Sequence, residues 1–167
     1  MRRILHASDF SRASTPAFAK AVELAKANHA ELRLLHVLDP LVPMPDGYVS
    51  PPTYVQLRKS ALAYGRKHLA RLVAKAGKAG VHASAVLREG TPYSEIVRAA
   101  RGCKADLIVI GTHGRTGVAG LLLGSVAGRV AGLATCPVLS VRSRSARKKT
   151  QRRVSEFLEE RPGFAGA

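Results

Sequence analysis

The residues of this chain best suited to chemistry lie between Gly111 and Ser125. They are Gly111, Thr112, His113, Gly114, Arg115, Thr116 and Gly117, then an apolar run from Val118 to Leu123, then Gly124 and Ser125. Glycine lets a backbone approach a ligand closely and take positive φ. A helix starting at Ser125 would aim free N–H groups and the positive end of its dipole at an anion. Phosphate is the natural occupant, and the Ser125 hydroxyl can donate to a phosphate oxygen or sit on a phosphate-bound metal ion. The stretch is not a Walker P-loop: no G-x-x-x-x-G-K-[ST] occurs, and no lysine precedes Ser125. Nor does it read G-x-G-x-x-G. On glycine count alone, an ordinary glycine-rich loop ahead of a helix explains it equally well.

Other reactive residue types offer less. His6 and His36 fall in apolar, strand-like runs, while His29, His68 and His82 are scattered without the H-x-x-x-H spacing of a metal site. His113 lies between motif glycines, within reach of a phosphate, but no general base with an orienting partner accompanies it. Cys103 and Cys136 lie far apart in sequence and read as small reduced hydrophobes rather than a redox pair or zinc site.

The elements that position this stretch alternate. Arg3 to Ala7 is strand-like, and Ser8, Asp9, Ser11 and Ser14 supply turn and N-cap chemistry before a helix over Pro16 to Ala27. Leu32 to Leu38 reads as a buried strand. A proline-rich insertion with Pro40, Pro43, Pro45, Pro51 and Pro52 follows. Leu57, Ala61, Tyr64, His68, Leu69, Leu72 and Ala76 predict a long amphipathic helix over about Thr53 to Ala79, basic on its outer face. Val81 to Leu87 is the third strand. Thr91 and Pro92 are placed to open a helix ending near Gly102, and Gly90 reads first as a turn glycine. Asp106 to Ile110 runs apolar without alternation, as central parallel strands do. A short helix from Ser125 to Ala134 and a last strand through Val138, Leu139 and Val141 complete the pattern. This predicts an open, twisted, five-stranded parallel sheet with helices on both faces, Rossmann-like, with its ligand crevice formed by the loops after Ala7, Val37 and Ile110.

Bulk properties narrow the functional classes. The 167 residues are 46% hydrophobic, enough for one compact core. No secretory h-region and no apolar run of spanning length occurs, which predicts a cytosolic protein. The net charge of +16 is uneven: no acidic residue lies between Asp46 and Glu89, nor between Asp106 and Glu156. Such a field steers phosphate ligands and attracts polyanions, although helix-turn-helix, zinc-finger and RNA-binding signatures are missing. We expect one domain over residues 1–142 and a basic tail over 143–167, with a helix near Val154 to Glu160.

Gly111, two residues, Gly114, nine residues, then Gly124 and Ser125 is the ATP-binding spacing of the universal stress protein family, which this sequence resembles. The resemblance extends to the strand ending in Ser8 and Asp9, the strand ending in His36 and Val37, the turn and helix from Glu89 to Ile96, and the stretch from Cys136 to Val141. It implies the fold of the adenine nucleotide alpha hydrolase type and ATP as ligand, accompanied by Mg²⁺ or Mn²⁺. It also implies that Asp9 and the backbone of Val37 address the adenine, with Ser8 beside Asp9 in the binding site and Gly111 near the ribose. His113, Gly114, Arg115, Gly124, Ser125 and Val126 would then surround the phosphates. For Asp9 a helix N-cap or turn role is the alternative, and the two are compatible. The resemblance implies a homodimer through the last strand, Val138 to Val141, whose edge would otherwise be exposed. Three readings stay open: an ATP-binding stress-response or signalling module, a slow ATPase or phosphotransferase, and a basic scaffold that binds nucleic acid or an acidic protein.

Overall fold

Short apolar runs that alternate with amphipathic segments leave the chain one economical solution, a sheet buried between two helical layers. The computed structural model describes residues 1–12, 14–39, 50–112 and 124–142. The insertion around Pro40, Pro43 and Pro45, the loop carrying His113, Gly114 and Arg115, and the tail from 143 onward lie outside the described residues. Pro51 and Pro52, expected in that insertion, instead open the second helix, where their missing N–H groups cost no intrahelical bond. In chain order the elements are β1 (Arg3–Ala7), α1 (Thr15–Ala27), β2 (Glu31–Leu38), α2 (Pro51–Lys78), β3 (Ala83–Glu89), α3 (Pro92–Gly102), β4 (Leu107–Gly111), α4 (Ser125–Leu133) and β5 (Val138–Val141). The five strands form one sheet in the order β3-β2-β1-β4-β5, every neighbouring pair parallel.

Alternation along each strand divides the core in two. Ile4, Leu32, Leu34, Leu107 and Val109 face α1 and α2, while Leu5, Leu35, Ile108 and Ile110 face α3 and α4. Three helices end in the same way. At α2, Gly80 takes φ +78 while its N–H donates to the Gly77 carbonyl and the Val81 N–H donates to that of Ala76. This is a Schellman closure, and it explains why β3 starts at Ala83 rather than at Val81: the Val81 side chain is the buried apolar contact that accompanies the motif. His29 and Lys104 occupy the equivalent left-handed positions after α1 and α3.

β3 hands over to α3 through Gly90, whose φ of +141 few side chains tolerate and whose N–H donates to the Leu38 carbonyl at 3.0 Å. A Cβ there would stand 3.1 Å from Cγ of Glu95, which is buried and ion-paired to Arg88 and Arg98. Gly90→Ala is expected to destabilise by about 1–2 kcal/mol, read as a lower urea midpoint with unchanged slope. An unmoved midpoint would show that this turn relaxes without strain.

No helix among the described residues is long and apolar enough to cross a membrane. Cys103 and Cys136 are both free. The fold nevertheless brings the ends of α3 and β5 near each other, so burial first and Cys103 second push the Cys136 thiol upward.

Candidate functional site

The chain proceeds from β1 outward to β2 and β3, then returns to lay β4 and β5 on the opposite side. The sheet order therefore reverses between β1 and β4, and the crevice beyond their carboxyl ends is where such sheets hold ligands. The register pairs Ala7 with Ile110, so Ser8 leaves β1 beside Gly111.

The turn after β1 is tightly tied. The Ser8 N–H donates to the Leu35 carbonyl at 2.9 Å, which carries the ladder one residue past the strand. The Ser8 hydroxyl is buried, accepts from the Phe10 N–H at 3.1 Å and lies 3.2 Å from the Ser14 hydroxyl. Asp9 folds its carboxylate back: Oδ1 accepts from the Ser11 N–H at 3.0 Å and the Ser11 hydroxyl at 2.7 Å. The N-cap of α1 is Ser14, so of the two capping roles open to Asp9 it is the turn that it closes. Its second oxygen, Oδ2, is buried with no hydrogen-bond partner. A buried carboxylate oxygen without a donor is costly, and it creates a demand for an N–H that a ligand can supply.

The turn after β4 supplies the opposite polarity. Thr112 is buried; its N–H donates to the Val141 carbonyl at 3.0 Å and its carbonyl accepts from the Gly124 N–H at 2.7 Å. The start of α4 is thus clamped to the end of β4. Gly124 is the N-cap, in extended conformation at φ −67 and ψ 157, and has no side chain with which to cap. The first turn carries no acidic residue, and the first intrahelical bond runs from the Gly128 N–H to the Gly124 carbonyl. The N–H groups ahead of it have no intrahelical acceptor and concentrate positive potential at the helix start. Ser125 is exposed, Gly124 and Val126 are half-buried, and Ala127 and Val130 anchor the helix in the core.

Ser8, Asp9, Gly111, Gly124, Ser125 and Val126 are therefore gathered around one reversal of the sheet. Val37 stands one strand away, half-buried at the carboxyl end of β2. His113, Gly114 and Arg115 lie outside the described residues. No group of three or more His, Cys, Asp and Glu suited to a metal ion occurs among the described residues.

Sequence reasoning did not single out Phe10. It takes φ +61, uncommon for a bulky side chain, and its ring lies 4.1 Å from that of His36 and 5.0 Å from that of His68. The His36 Nδ1–H in turn donates to the Ser8 carbonyl at 2.7 Å. The aromatic wedge holds the turn that presents Asp9, and its only trace in the sequence is its place directly after that aspartate.

Comparison with known proteins gives this arrangement its context. A family model described as the universal stress protein family matches residues 1–142. The universal stress protein YxiE of Bacillus subtilis is 35% identical over 150 residues, covering 84% of this chain and 98% of that one. Among solved structures, universal stress protein UspA from Lactobacillus plantarum superposes with a TM-score of 0.74 at 25% identity, covering 84% of this chain and 97% of its own. A family protein from Arabidopsis thaliana, solved with AMP bound, gives 0.63 at 25% identity, covering 86% and 93%. The match over most of the chain and the shared sheet make one conclusion plain: this chain belongs to the universal stress protein family.

Proposed function

We propose that this protein binds ATP in the crevice between β1 and β4 and acts as a nucleotide-dependent stress-response or signalling module. The observation that carries the reading is the pairing of two unmet demands in one crevice. Asp9 Oδ2 is buried and lacks a donor, while the start of α4, clamped to β4 through Thr112 and Gly124, lacks an acceptor. An adenine nucleotide answers both, since its exocyclic amine donates and its phosphates accept. The AMP-bound Arabidopsis relative supports adenine as the base.

In this reading Asp9, with Ser8 behind it, and the backbone of Val37 address the adenine, and Gly111 leaves room for the ribose. Gly124, Ser125 and Val126 receive the phosphates together with His113, Gly114 and Arg115. A Mg²⁺ or Mn²⁺ ion arriving with ATP would offset phosphate charge, and the Ser125 hydroxyl would be the protein group available to hold it. β5 is an edge strand of the sheet, which supports pairing of two copies through Val138–Val141.

Thermal unfolding with ATP, GTP and tripolyphosphate tests the reading. A ligand at 100 times its dissociation constant adds about 2.7 kcal/mol if it binds only the folded state. ATP is expected to protect more than GTP and far more than tripolyphosphate, and to keep doing so at moderate salt. Equal protection by tripolyphosphate would reduce the effect to charge attraction. Asp9→Asn leaves an oxygen for the Ser11 bonds but places a neutral amide where the second carboxylate oxygen meets the adenine amine. It is expected to weaken ATP by about tenfold, or about 1.4 kcal/mol, while tripolyphosphate protection stays as it was. Unchanged ATP affinity would remove Asp9 from the site.

A further inference from the structure

We infer that the outer seam of α2 docks an acidic amphipathic helix of another protein. The 28 residues of α2 rise about 42 Å, whereas the seven-residue β3 beneath it spans about 23 Å. The helix therefore overhangs the sheet, and only Gly65, Leu69 and Ala76 of it are buried.

Along one flank of that strip, Tyr54, Leu57, Ala61 and Tyr64 follow one another at spacings of three, four and three residues. The same rhythm continues through His68 to Arg71, Lys75 and Lys78. This is the a/d spacing of a helix that packs lengthwise against another. Tyr54, Leu57 and Tyr64 are 37%, 49% and 53% exposed, a concentration of apolar surface that marks an interaction site rather than a core. The Tyr64 and His68 rings stack at 4.1 Å and both lean on Phe10, so the seam is held in place and abuts the turn that presents Asp9.

Charge selects the occupant. α2 carries seven Lys and Arg residues and no acidic one, and its ion pair to Glu89 is made by Arg58, away from the seam. A second copy pairing in parallel would set Arg71, Lys75 and Lys78 against themselves, and full antiparallel pairing would set the apolar half against the basic half. A helix with apolar residues opposite Tyr54–Tyr64 and Glu or Asp opposite Arg71–Lys78 matches the whole seam. The docking does not depend on the nucleotide reading.

The test uses the full chain and a fluorescein-labelled synthetic helix of about seven turns, with Leu at the a/d positions of its first half and Glu at those of its second. A control peptide carries Lys in place of Glu. Fluorescence anisotropy is expected to give saturable binding of the Glu peptide and about tenfold weaker binding of the Lys peptide. Leu57→Glu/Tyr64→Glu and Arg71→Glu/Lys75→Glu should each weaken the Glu peptide by about tenfold with both variants still unfolding cooperatively above the assay temperature, and the second variant should gain affinity for the Lys peptide. Equal binding of both peptides, or variants that bind like the parent, overturns the proposal. So does sedimentation showing a dimer that Leu57→Glu/Tyr64→Glu dissolves, which would assign the seam to a second copy. Binding of duplex DNA lost in that same variant would assign it to nucleic acid and overturn the proposal equally.

Discussion

Gly124→Val is expected to abolish protection by ATP while leaving the protein folded. Gly124 has φ −67 and ψ 157, a conformation open to valine, and its N–H bond to the Thr112 carbonyl is a backbone bond that the substitution retains. The fold loses little: valine is a poor N-cap, but replacing an N-cap glycine costs about 1 kcal/mol or less. The crevice loses more. A branched side chain at the N-cap occupies the space in front of the free N–H groups of α4, where a phosphate must approach to van der Waals distance of the backbone. The stabilisation of about 2.7 kcal/mol given by ATP at 100 times the parent's dissociation constant should vanish. Thermal unfolding of parent and variant with and without ATP measures both effects at once. A variant protected as well as the parent would show that phosphates do not rest on Gly124.

The second large effect concerns acid. His6 is fully buried on β1, its Nδ1–H donating to the Val109 carbonyl at 3.0 Å, while Nε2 is buried without a partner. Protonation would bury both a charge and a second N–H with no acceptor. Burial is the dominant cause that lowers the pKa from 6.5 to about 4, against smaller opposing contributions from the Val109 carbonyl and from Asp9. The unfolded chain takes up a proton below pH 6.5, whereas the folded chain refuses one until about pH 4. Stability is therefore insensitive to this group above pH 6.5 and falls as pH drops through the window between the two values. The loss is about 1.4 kcal/mol per pH unit and about 3 kcal/mol in total. Urea midpoints at several pH values should show this slope in the parent and lose most of it in His6→Leu. Equal slopes would mean that other groups carry the acid sensitivity. Asp106 and Glu89 both have lowered pKa values and act in the same direction, but below the ordinary carboxylate range, so the upper part of the window isolates the histidine.

The architecture was legible where one residue type has one physical reason to be present. The run Leu107–Ile110 admits no face exposed to water and is indeed the strand at the reversal of the sheet. Thr91 and Pro92 start α3 where the sequence places them, and Gly124 and Ser125 open α4. Legibility failed where long-range packing decides. Val81 has the composition of a strand residue but serves the closure of α2, because the hydrogen bonds to Ala76 and Gly77 are visible only once the helix end is built. Leu57 and Tyr64 share the spacing of Leu69 and Ala76, so the sequence assigns them all to one apolar face. The sheet ends before it can cover the first two, and they stand exposed. The left-handed Phe10 belongs to the same class. Nothing local marks it, since its conformation follows from stacking on His36 and His68, residues brought to it by β2 and α2. At the site, spacing identifies the two turns, while the orphaned Asp9 oxygen and the Thr112–Gly124 clamp emerge only in three dimensions.

In the proposed complex a phosphate chain rests against the start of α4 while the base reaches Asp9. A crystal structure grown with excess ATP and Mg²⁺ tests this most directly. Density is expected for the triphosphate against the free backbone N–H groups of Ser125 and Val126, with the adenine amine within hydrogen-bond distance of Asp9 Oδ2. Nucleotide bound elsewhere, or a crevice between β1 and β4 left empty at saturating ATP, would contradict it.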